Sequence, residues 1–367
     1  MKAKLGHHPD YVFLFCVALL TLFGLLILSS ASSDIGKIKF NDTYYYLKHQ
    51  VFYGLSLGIV GFLLTSRMYY RRFEKLALPF LFLSILALVA VFTPLGYSFK
   101  GASRWLDLGP FSIQPAEILK LTFIIYLALW LSNKKISRQT SFLEGYLPFL
   151  FICGLIAFLV LIQPATTTVV IIMASGLVVY FVSGARLSYI VGTILLGILV
   201  LALVIYFTPY RFERIKAFIY PEKVNVEVGG YHLNQALMAI GAGGPWGVGF
   251  GKSTTKFKYL PEPIGDSIFA VIAEEFGFFG ALILLGIFIT MILRGFLIAK
   301  NSRDQFGKLI AVGLTSVLAI QTFIHIGAIS GLIPLTGVPL PFISYGGTSL
   351  AVFLTLAGVI VNISKYT

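Results

Sequence analysis

Long runs of apolar residues recur along most of the chain, and they constrain its fold more than any other feature. Windows of about 18 to 22 mostly apolar residues match the length that a helix needs to cross the hydrocarbon core of a bilayer. Charged residues make up 12% of the sequence, about half the usual fraction of a soluble domain. A soluble globular fold is therefore excluded, and we predict an all-α polytopic membrane protein. The ten predicted spans lie near residues 11–31, 48–66, 76–94, 117–132, 147–164, 166–183, 188–207, 267–293, 309–329 and 346–363.

The distribution of basic residues among the loops predicts the orientation of the chain. Cytoplasmic termini would place 15 of the 28 Lys and Arg residues in cytoplasmic segments and 12 in outer segments, with Lys120 inside a span. Seven of those twelve fall in one long loop, 208–266, and long loops report orientation poorly. The short loops are positive-inside. We therefore predict one transmembrane domain, 1–367, with cytoplasmic termini and loop 208–266 on the outer face.

The longest polar and glycine-rich interval runs from residue 229 to residue 280. Within it, residues 247–253 (GVGFGKS) resemble a phosphate-binding loop, but that motif needs a glycine where this chain has Trp246. A nucleotide site is rejected. The glycines and the lysines that follow them predict instead a surface that approaches a phosphate closely. Those lysines are Lys252, Lys256 and Lys258.

Asp266 stands at the start of the eighth predicted span, and its position has two interpretations. The carboxylate can cap the helix, or it can take part in chemistry. A helix that starts there also carries a stripe of small residues that lets another helix or a substrate approach closely. That stripe comprises Ala270, Ala273, Gly277 and Gly280. Glu274 and Glu275 lie roughly 12 Å deeper, and we interpret them as structural carboxylates, paired or protonated inside the bundle.

Glu117 and Lys120 form a second polar pair, close to the start of the fourth span. Residues three apart on a helix share a face, so the two side chains can pair. The pair is either a structural link between helices or the polar wall of a cavity that opens to the outside, and spacing alone does not decide between them.

Two further segments of the outer face have readable patterns. Arg211, Arg214 and Lys216 alternate with apolar residues at helical spacing, which predicts an amphipathic helix on the membrane surface. Residues 330–345 contain too many prolines and glycines for a helix interior, so a structured outer loop is expected there. His325, just before it, is expected to hydrogen-bond to a neighbouring helix rather than bind a ligand.

Three separated motifs resemble the SEDS family of membrane proteins (FtsW, RodA and SpoVE). The first is Arg104-Trp105 with residues 108–110 and 114–117, the second is the 243–280 stretch, and the third comprises residues 334–337 and 339–347. The resemblance spans nearly the whole chain, and residues 250–259 look closer to the cell-division branch. The chain departs from the family pattern at Ile264-Gly265, where His-Thr is usual, and at Ala165, where an acid is common.

The resemblance implies an activity and a set of partners. SEDS proteins are peptidoglycan glycosyltransferases of the bacterial cytoplasmic membrane that polymerise lipid II with a class B penicillin-binding protein. We therefore expect an inverting lipid II polymerase at the division septum, in contact with other divisome or elongasome membrane proteins and with no nucleic-acid partner. The alternatives are an elongation-type polymerase, a lipid II flippase and a non-catalytic scaffold.

The resemblance also implies roles for individual residues. Asp266, preceded by Leu260-Pro261-Glu262, matches the essential aspartate of the family and is expected to be the general base. Cations should balance the charge of the departing pyrophosphate, and a divalent cation, Mg²⁺ or Mn²⁺, is expected to assist. The expected substrate-binding residues are Arg104, Glu117, Lys120, Lys252, Lys256, Lys258 and Ser344.

Overall fold

A computed structural model describes residues 7–99, 102–107, 109, 112–133, 138–219, 230–257 and 259–367. These residues form a bundle of long apolar helices that run between two ends. The first and last described residues lie at one end, where the His7 amide donates to the Lys365 carbonyl at 2.7 Å; we call it the terminal end. The opposite end, which holds Asp266 and the longer loops, is called the loop end.

The helices match the predicted spans closely. Within the described residues, nine helices are long and apolar enough to cross a membrane, and a further apolar helix of 17 residues occupies the sixth predicted position. The membrane-protein class and its helical architecture are confirmed, whereas the count of ten spans stays a prediction. In chain order the helices are α1 Tyr11–Ala31, α2 Ser33–Phe40, α3 Tyr45–Arg67, α4 Arg72–Ala90, α5 Pro115–Ser132, α6 Phe142–Ile162, α7 Thr166–Val182, α8 Leu187–Tyr206, α9 Pro209–Ile219, α10 Tyr231–Ala242, α11 Ile268–Lys300, α12 Gln305–Ile329 and α13 Gly347–Ser364.

Aspartates at the terminal end both start helices and join them. Asp10 accepts from the Phe13 amide at 2.9 Å and so caps α1, and its carboxylate also pairs with Arg294 of α11. Asp304 caps α12 by accepting from the Gly307 amide at 2.7 Å. Each cap satisfies a backbone N–H that the helix leaves free, and the Asp10 pair ties the start of α1 to the end of α11.

Helix α12 forms the centre of the bundle. It packs against α5, α7, α11 and α13, and most of its residues are buried. The packing around Gly313 is tight, because a Cβ there would lie 2.4 Å from a methyl of Ile124 and 2.6 Å from a methyl of Val179. Helix α8, by contrast, buries a single residue, Ile190, as expected of a lipid-facing helix at the edge.

The loop between α4 and α5 contains a small antiparallel sheet that the sequence patterns did not predict. Strands β1 Gly96–Phe99, β2 Ala102–Asp107 and β3 Ser112–Ile113 pair in that order, with a register irregularity between Tyr97 and Ser98. Strands this short carry almost no periodic signal. The sheet places Arg104 at the loop end of the bundle.

The eighth predicted span is interrupted inside α11. Gly277 has φ 67° and ψ −168°, a conformation that is essentially reserved for glycine. The missing helical bonds are replaced from the preceding loop: the Val248 amide donates to Glu274 O at 2.9 Å, and the Phe278 amide donates to Gly244 O at 2.9 Å. The predicted stripe of small residues does receive a close neighbour, since a Cβ at Gly243 would lie 2.0 Å from the Ala273 carbonyl oxygen.

Candidate active site

Asp266 lies in the turn that leads into α11, and its side chain is half-buried. Helix α11 starts at Ile268, and Ser267 rather than Asp266 occupies the N-cap position, so the capping interpretation of Asp266 gains no support. The Ser267 hydroxyl donates to the Pro261 carbonyl at 2.7 Å and lies 2.6 Å from His232 Nε2. With its proton given to Pro261, this hydroxyl accepts from the imidazole. The Ser267 hydroxyl thus fixes the turn that precedes α11.

The loop 330–346 lies directly against the Asp266 carboxylate. A Cβ built at Gly337 would stand 3.1 Å from Asp266 Oδ2, so the absence of a side chain there leaves the carboxylate its space. The segment is non-helical, as predicted from its prolines and glycines.

Ser344 and Tyr345 fasten this loop to the residues before Asp266. The buried hydroxyl of Ser344 donates to the Gly265 carbonyl and accepts from the Leu340 amide, both at 2.8 Å. The Tyr345 amide donates to the Ile264 carbonyl at 2.8 Å. Ser344, predicted to bind substrate, therefore has its hydroxyl engaged in holding two loops together beside the carboxylate.

Arg104 lies near Asp266, and two further arginines, Arg211 and Arg214, lie near Arg104. Burial lowers the pKa of Arg104, whose guanidinium interacts electrostatically with Tyr210, Arg214, Asp266 and Arg211; an arginine nonetheless stays protonated. Arg104 Nε donates to the Gln163 carbonyl at 2.9 Å and Nη2 donates to the Pro164 carbonyl at 2.6 Å. The predicted cation is therefore present near the carboxylate, held in a fixed orientation by the turn between α6 and α7.

Arg211 and Arg214 belong to α9, the amphipathic helix that the sequence predicted. Arg214 Nη1 donates to the Leu335 carbonyl at 3.4 Å, and its guanidinium lies 4.5 Å from the centroid of the Tyr210 ring. The sequence offered these two arginines only as part of the basic loop that could balance pyrophosphate charge, and neither they nor His232 was among the predicted substrate contacts. The spacing of 209–219 showed a helix, but no local signal could show that it folds back onto loop 330–346.

Glu117 and Lys120 form a buried ion pair. Their charged atoms are 2.7 Å apart, with side chains 3% and 1% exposed. Lys120 Nζ also donates to Gln321 Oε1 at 2.7 Å, and Gln321 Nε2 donates to the Pro339 carbonyl at 2.8 Å. The pair thus links α5 to α12 and, through Gln321, to loop 330–346. It acts as a structural link beneath the site.

His325 supports the same loop. Its Nδ1 lies 2.8 Å from the Val338 carbonyl. The expected hydrogen bond is present, although its partner is a loop carbonyl rather than a neighbouring helix. Two α12 side chains, Gln321 and His325, therefore hold consecutive carbonyls of the segment that carries Gly337.

Lys256 lies in a buried network instead of facing the loop-end opening. Its ammonium is 2.8 Å from Glu275 Oε1 and donates to Ser30 Oγ at 2.8 Å and to the Gly251 carbonyl at 2.9 Å. A pyrophosphate contact by Lys256 would require this network to open. The prediction that Glu275 is a paired structural carboxylate is confirmed.

Glu274, the residue before Glu275, binds the loop that carries Lys256. Its Oε2 accepts from the Ser253 hydroxyl at 2.5 Å and its Oε1 accepts from the Thr254 amide at 3.0 Å, and the Thr255 hydroxyl donates to it as well. Glu274 is therefore hydrogen-bonded inside the structure, as interpreted from sequence. In the glycine-rich segment 243–251, Gly243 and Gly247 are explained by close packing on α11.

Lys252 is the predicted phosphate contact that the structure leaves exposed. Lys258 lies outside the described residues. Of the seven predicted substrate contacts, the structure places Arg104 and Ser344 next to the residues around Asp266. It buries Glu117, Lys120 and Lys256 in ion pairs.

The fold and this site define a class: a polytopic helical membrane protein with a carboxylate near a buried arginine at its loop end. A family model described as “Cell cycle protein”, for FtsW, RodA and SpoVE, matches residues 10–367. The chain belongs to this family, which confirms the resemblance seen in its motifs.

Curated relatives match over the same length. The chain is 37% identical to a probable peptidoglycan glycosyltransferase FtsW of Trichlorobacter lovleyi, covering 97% of this chain and 93% of that one. It is 36% identical to stage V sporulation protein E of Bacillus subtilis, covering 98% of both chains.

Solved structures agree with the fold. A chain from “Structural coordination of polymerization and crosslinking by a peptidoglycan synthase complex” superposes with a TM-score of 0.81 at 26% identity, covering 97% of both chains. The rod shape determining protein RodA of Thermus thermophilus superposes with a TM-score of 0.72 at 27% identity, covering 98% of both.

Proposed function

We propose that this chain is a peptidoglycan glycosyltransferase that polymerises lipid II at the outer face of the bacterial cytoplasmic membrane, with Asp266 as general base. The relatives named as probable peptidoglycan glycosyltransferases support the reaction class. The observation that carries the residue assignment is the placement of the Asp266 carboxylate: it lies against Gly337 and interacts electrostatically with Arg104.

The chemistry needs few groups, and this arrangement offers them. A sugar hydroxyl of one lipid II attacks the anomeric carbon of another, the bond to undecaprenyl pyrophosphate breaks, and the configuration inverts. Asp266 takes the hydroxyl proton as the new bond forms. Pyrophosphate leaves readily, so its growing negative charge needs cations rather than an acid. Arg104, which interacts electrostatically with Asp266, and its neighbours Arg211 and Arg214 are proposed to supply them.

The remaining predicted contacts divide by burial. Lys252 is exposed and is proposed to meet the pyrophosphate of an incoming lipid, and Lys258 keeps that predicted role. The buried side chains of Glu117, Lys120, Lys256 and Ser344 are proposed to act indirectly, by holding the loops that form the site.

A divalent cation, if used, would be held mainly by the substrate. The described residues include no group of three or more His, Cys, Asp or Glu side chains that could hold a metal ion. Magnesium commonly binds through one or two carboxylates together with phosphate oxygens and water, and Asp266 could supply one such ligand. We assign no step of the reaction to the ion.

The proposed setting is cell division, together with a transpeptidase. The solved complex that coordinates polymerization and crosslinking contains a chain of this fold, which favours a class B penicillin-binding protein as the partner. The FtsW relatives favour the septum and the divisome over elongation.

Polymerisation by the purified full chain with its transpeptidase partner tests the base assignment. Asp266→Asn keeps the size of the side chain and removes its basicity, so glycan strands on a gel should disappear while complex formation persists. Asp42→Asn is the matched control, because Asp42 is also at the loop end and its carboxylate is paired with Lys48. Strands made by Asp266→Asn at the wild-type rate would refute the assignment.

A further inference from the structure

A large cavity opens at the terminal end of the bundle, at the opposite end from Asp266. Its volume is about 910 Å³, and it lies between the start of α4, the end of α5 and the segment leading into α12. The proposed polymerisation does not use it. Its lining includes the charged residues Arg71, Glu74, Arg138, Arg303, Asp304 and Lys308.

The charged part of this lining has an excess of cations. Four basic and two acidic side chains leave two positive charges, and one of the acids is already engaged: Asp304 caps α12 and pairs with Arg71 at 3.1 Å. Within the described part of the chain, the side chains of Arg303 and Lys308 make no ion pair or hydrogen bond. Arg303 is exposed and Lys308 is half-buried, so both charges are available to an anion.

The rest of the lining is apolar and aromatic. Leu78, Tyr126, Leu129, Trp130 and Phe306 contribute to it. The Arg138 guanidinium lies 5.2 Å from the Trp130 ring centroid, and its Nη1 donates to the Trp130 carbonyl at 2.7 Å, which fixes a cation against the aromatic wall. Trp and Tyr side chains favour the interface between head groups and hydrocarbon. A ligand that fits both the cationic part and the apolar part of the lining is an amphiphile with a negatively charged head group.

We propose that this cavity binds an anionic phospholipid, with its phosphate at Arg303 and Lys308 and its acyl chain along Trp130 and Tyr126. Basic pockets between membrane helices on the cytoplasmic side suit such head groups, and the charge distribution of the sequence places this end in the cytoplasm. A soluble phosphate compound would gain nothing from the apolar wall. The lipid would bridge α4, α5 and α12 and so stabilise the central helix from the end opposite the carboxylate.

The test counts lipids bound to the purified full chain by native mass spectrometry. Cardiolipin, phosphatidylglycerol and phosphatidylcholine are titrated into delipidated protein in a non-ionic detergent. Arg303→Gln/Lys308→Gln removes the two available charges, and Arg67→Gln/Lys300→Gln is the matched control. The control pair is also basic, exposed and at the terminal end, yet lies outside the cavity lining.

We expect the two anionic lipids to bind more tightly than phosphatidylcholine. The Arg303→Gln/Lys308→Gln protein should bind them roughly 30-fold more weakly, since each basic residue near a lipid surface contributes about a factor of five. The control pair should bind as wild type does. Arg303→Glu alone, at an exposed position, provides a second variant that leaves the packing intact and should weaken binding in the same direction.

Three results would overturn the proposal. The first is an equal loss in the control pair, which would mean a diffuse surface effect. The second is equal binding of phosphatidylcholine. The third is displacement of the lipid by soluble glycerol phosphate at a comparable concentration, which would identify a site for a free anion.

Discussion

The ammonium of Lys256 lies 2.8 Å from the carboxylate of Glu275, and their side chains are 2% and 0% exposed. Ser30 of α1 donates to the same carboxylate oxygen at 2.6 Å. The pair thereby joins α1, the loop before Asp266 and the break in α11. Its position explains why a chain that avoids charge in its interior keeps a lysine and a glutamate here.

Removing one member of this pair should be strongly destabilising. Lys256→Met leaves a buried carboxylate without its counter-charge, which typically costs about 3–5 kcal/mol. We expect a large drop in the midpoint of thermal unfolding in detergent, and a partial recovery when Glu275→Leu is added. Lys252→Met, four residues away and exposed, should unfold like wild type. Equal midpoints for Lys256→Met and Lys252→Met would contradict the assignment.

Gly277 should tolerate no side chain. Its φ is 67°, and a Cβ would lie 2.3 Å from the Gly247 amide nitrogen, so Gly277→Ala should cost about 3 kcal/mol or more. Gly286 lies in the same helix with nothing within 4 Å of its Cβ position, and Gly286→Ala should be neutral or slightly stabilising. The comparison is made by thermal unfolding of the two variants side by side, and similar midpoints would show that the helix is continuous.

Gly337→Ala should impair catalysis more than folding. The added methyl would lie 3.1 Å from Asp266 Oδ2, which is close enough to shift the carboxylate, and a displacement of a catalytic group can cost about 100-fold. Polymerisation rates should fall while the unfolding midpoint changes little. Gly241→Ala, at an open helical position, serves as control. Full activity in Gly337→Ala would show that loop 330–346 does not influence the reaction.

Arg104 and Lys252 should differ in how they affect kinetics. Arg104 is held in place by the Gln163 and Pro164 carbonyls, so Arg104→Lys loses the fork geometry and should lower kcat. Lys252→Gln removes an exposed charge, so it should raise KM for lipid II with a smaller change in kcat. Steady-state polymerisation across lipid II concentrations distinguishes the two. The opposite pattern would reverse their proposed roles.

Much of the fold could be predicted because the length of an apolar run is a local property of the sequence. Helices such as Tyr11–Ala31 and Gln305–Ile329 follow directly from apolar runs with polar ends. The break at Gly277 could not be read in this way, because it depends on loop 244–249 supplying the hydrogen bonds that the helix gives up. The N-cap residue could not be chosen from the sequence for a related reason: the turn before α11 is set by the hydrogen bond from the Ser267 hydroxyl to the Pro261 carbonyl.

The sequence predicted the acidic residue of the candidate site but not the arrangement of the residues around it. Asp266 stood out through the motif around it, and Arg104 through its own motif. Lys256 looked like a phosphate ligand because it follows glycines, yet its partner Glu275 lies 19 residues further along the chain. Ion pairs between distant segments leave no spacing in the sequence, so burial was needed to distinguish Lys252 from Lys256.

The most direct test of the central claim uses proteoliposomes that contain the full chain, its transpeptidase partner and fluorescent lipid II. Glycan strands and lipid II translocation are measured in the same vesicles, for wild type and Asp266→Asn. The account predicts strands from wild type, none from Asp266→Asn, and equal translocation for both. Strands from Asp266→Asn at the wild-type rate, or translocation that depends on Asp266 without any strands from wild type, would contradict it.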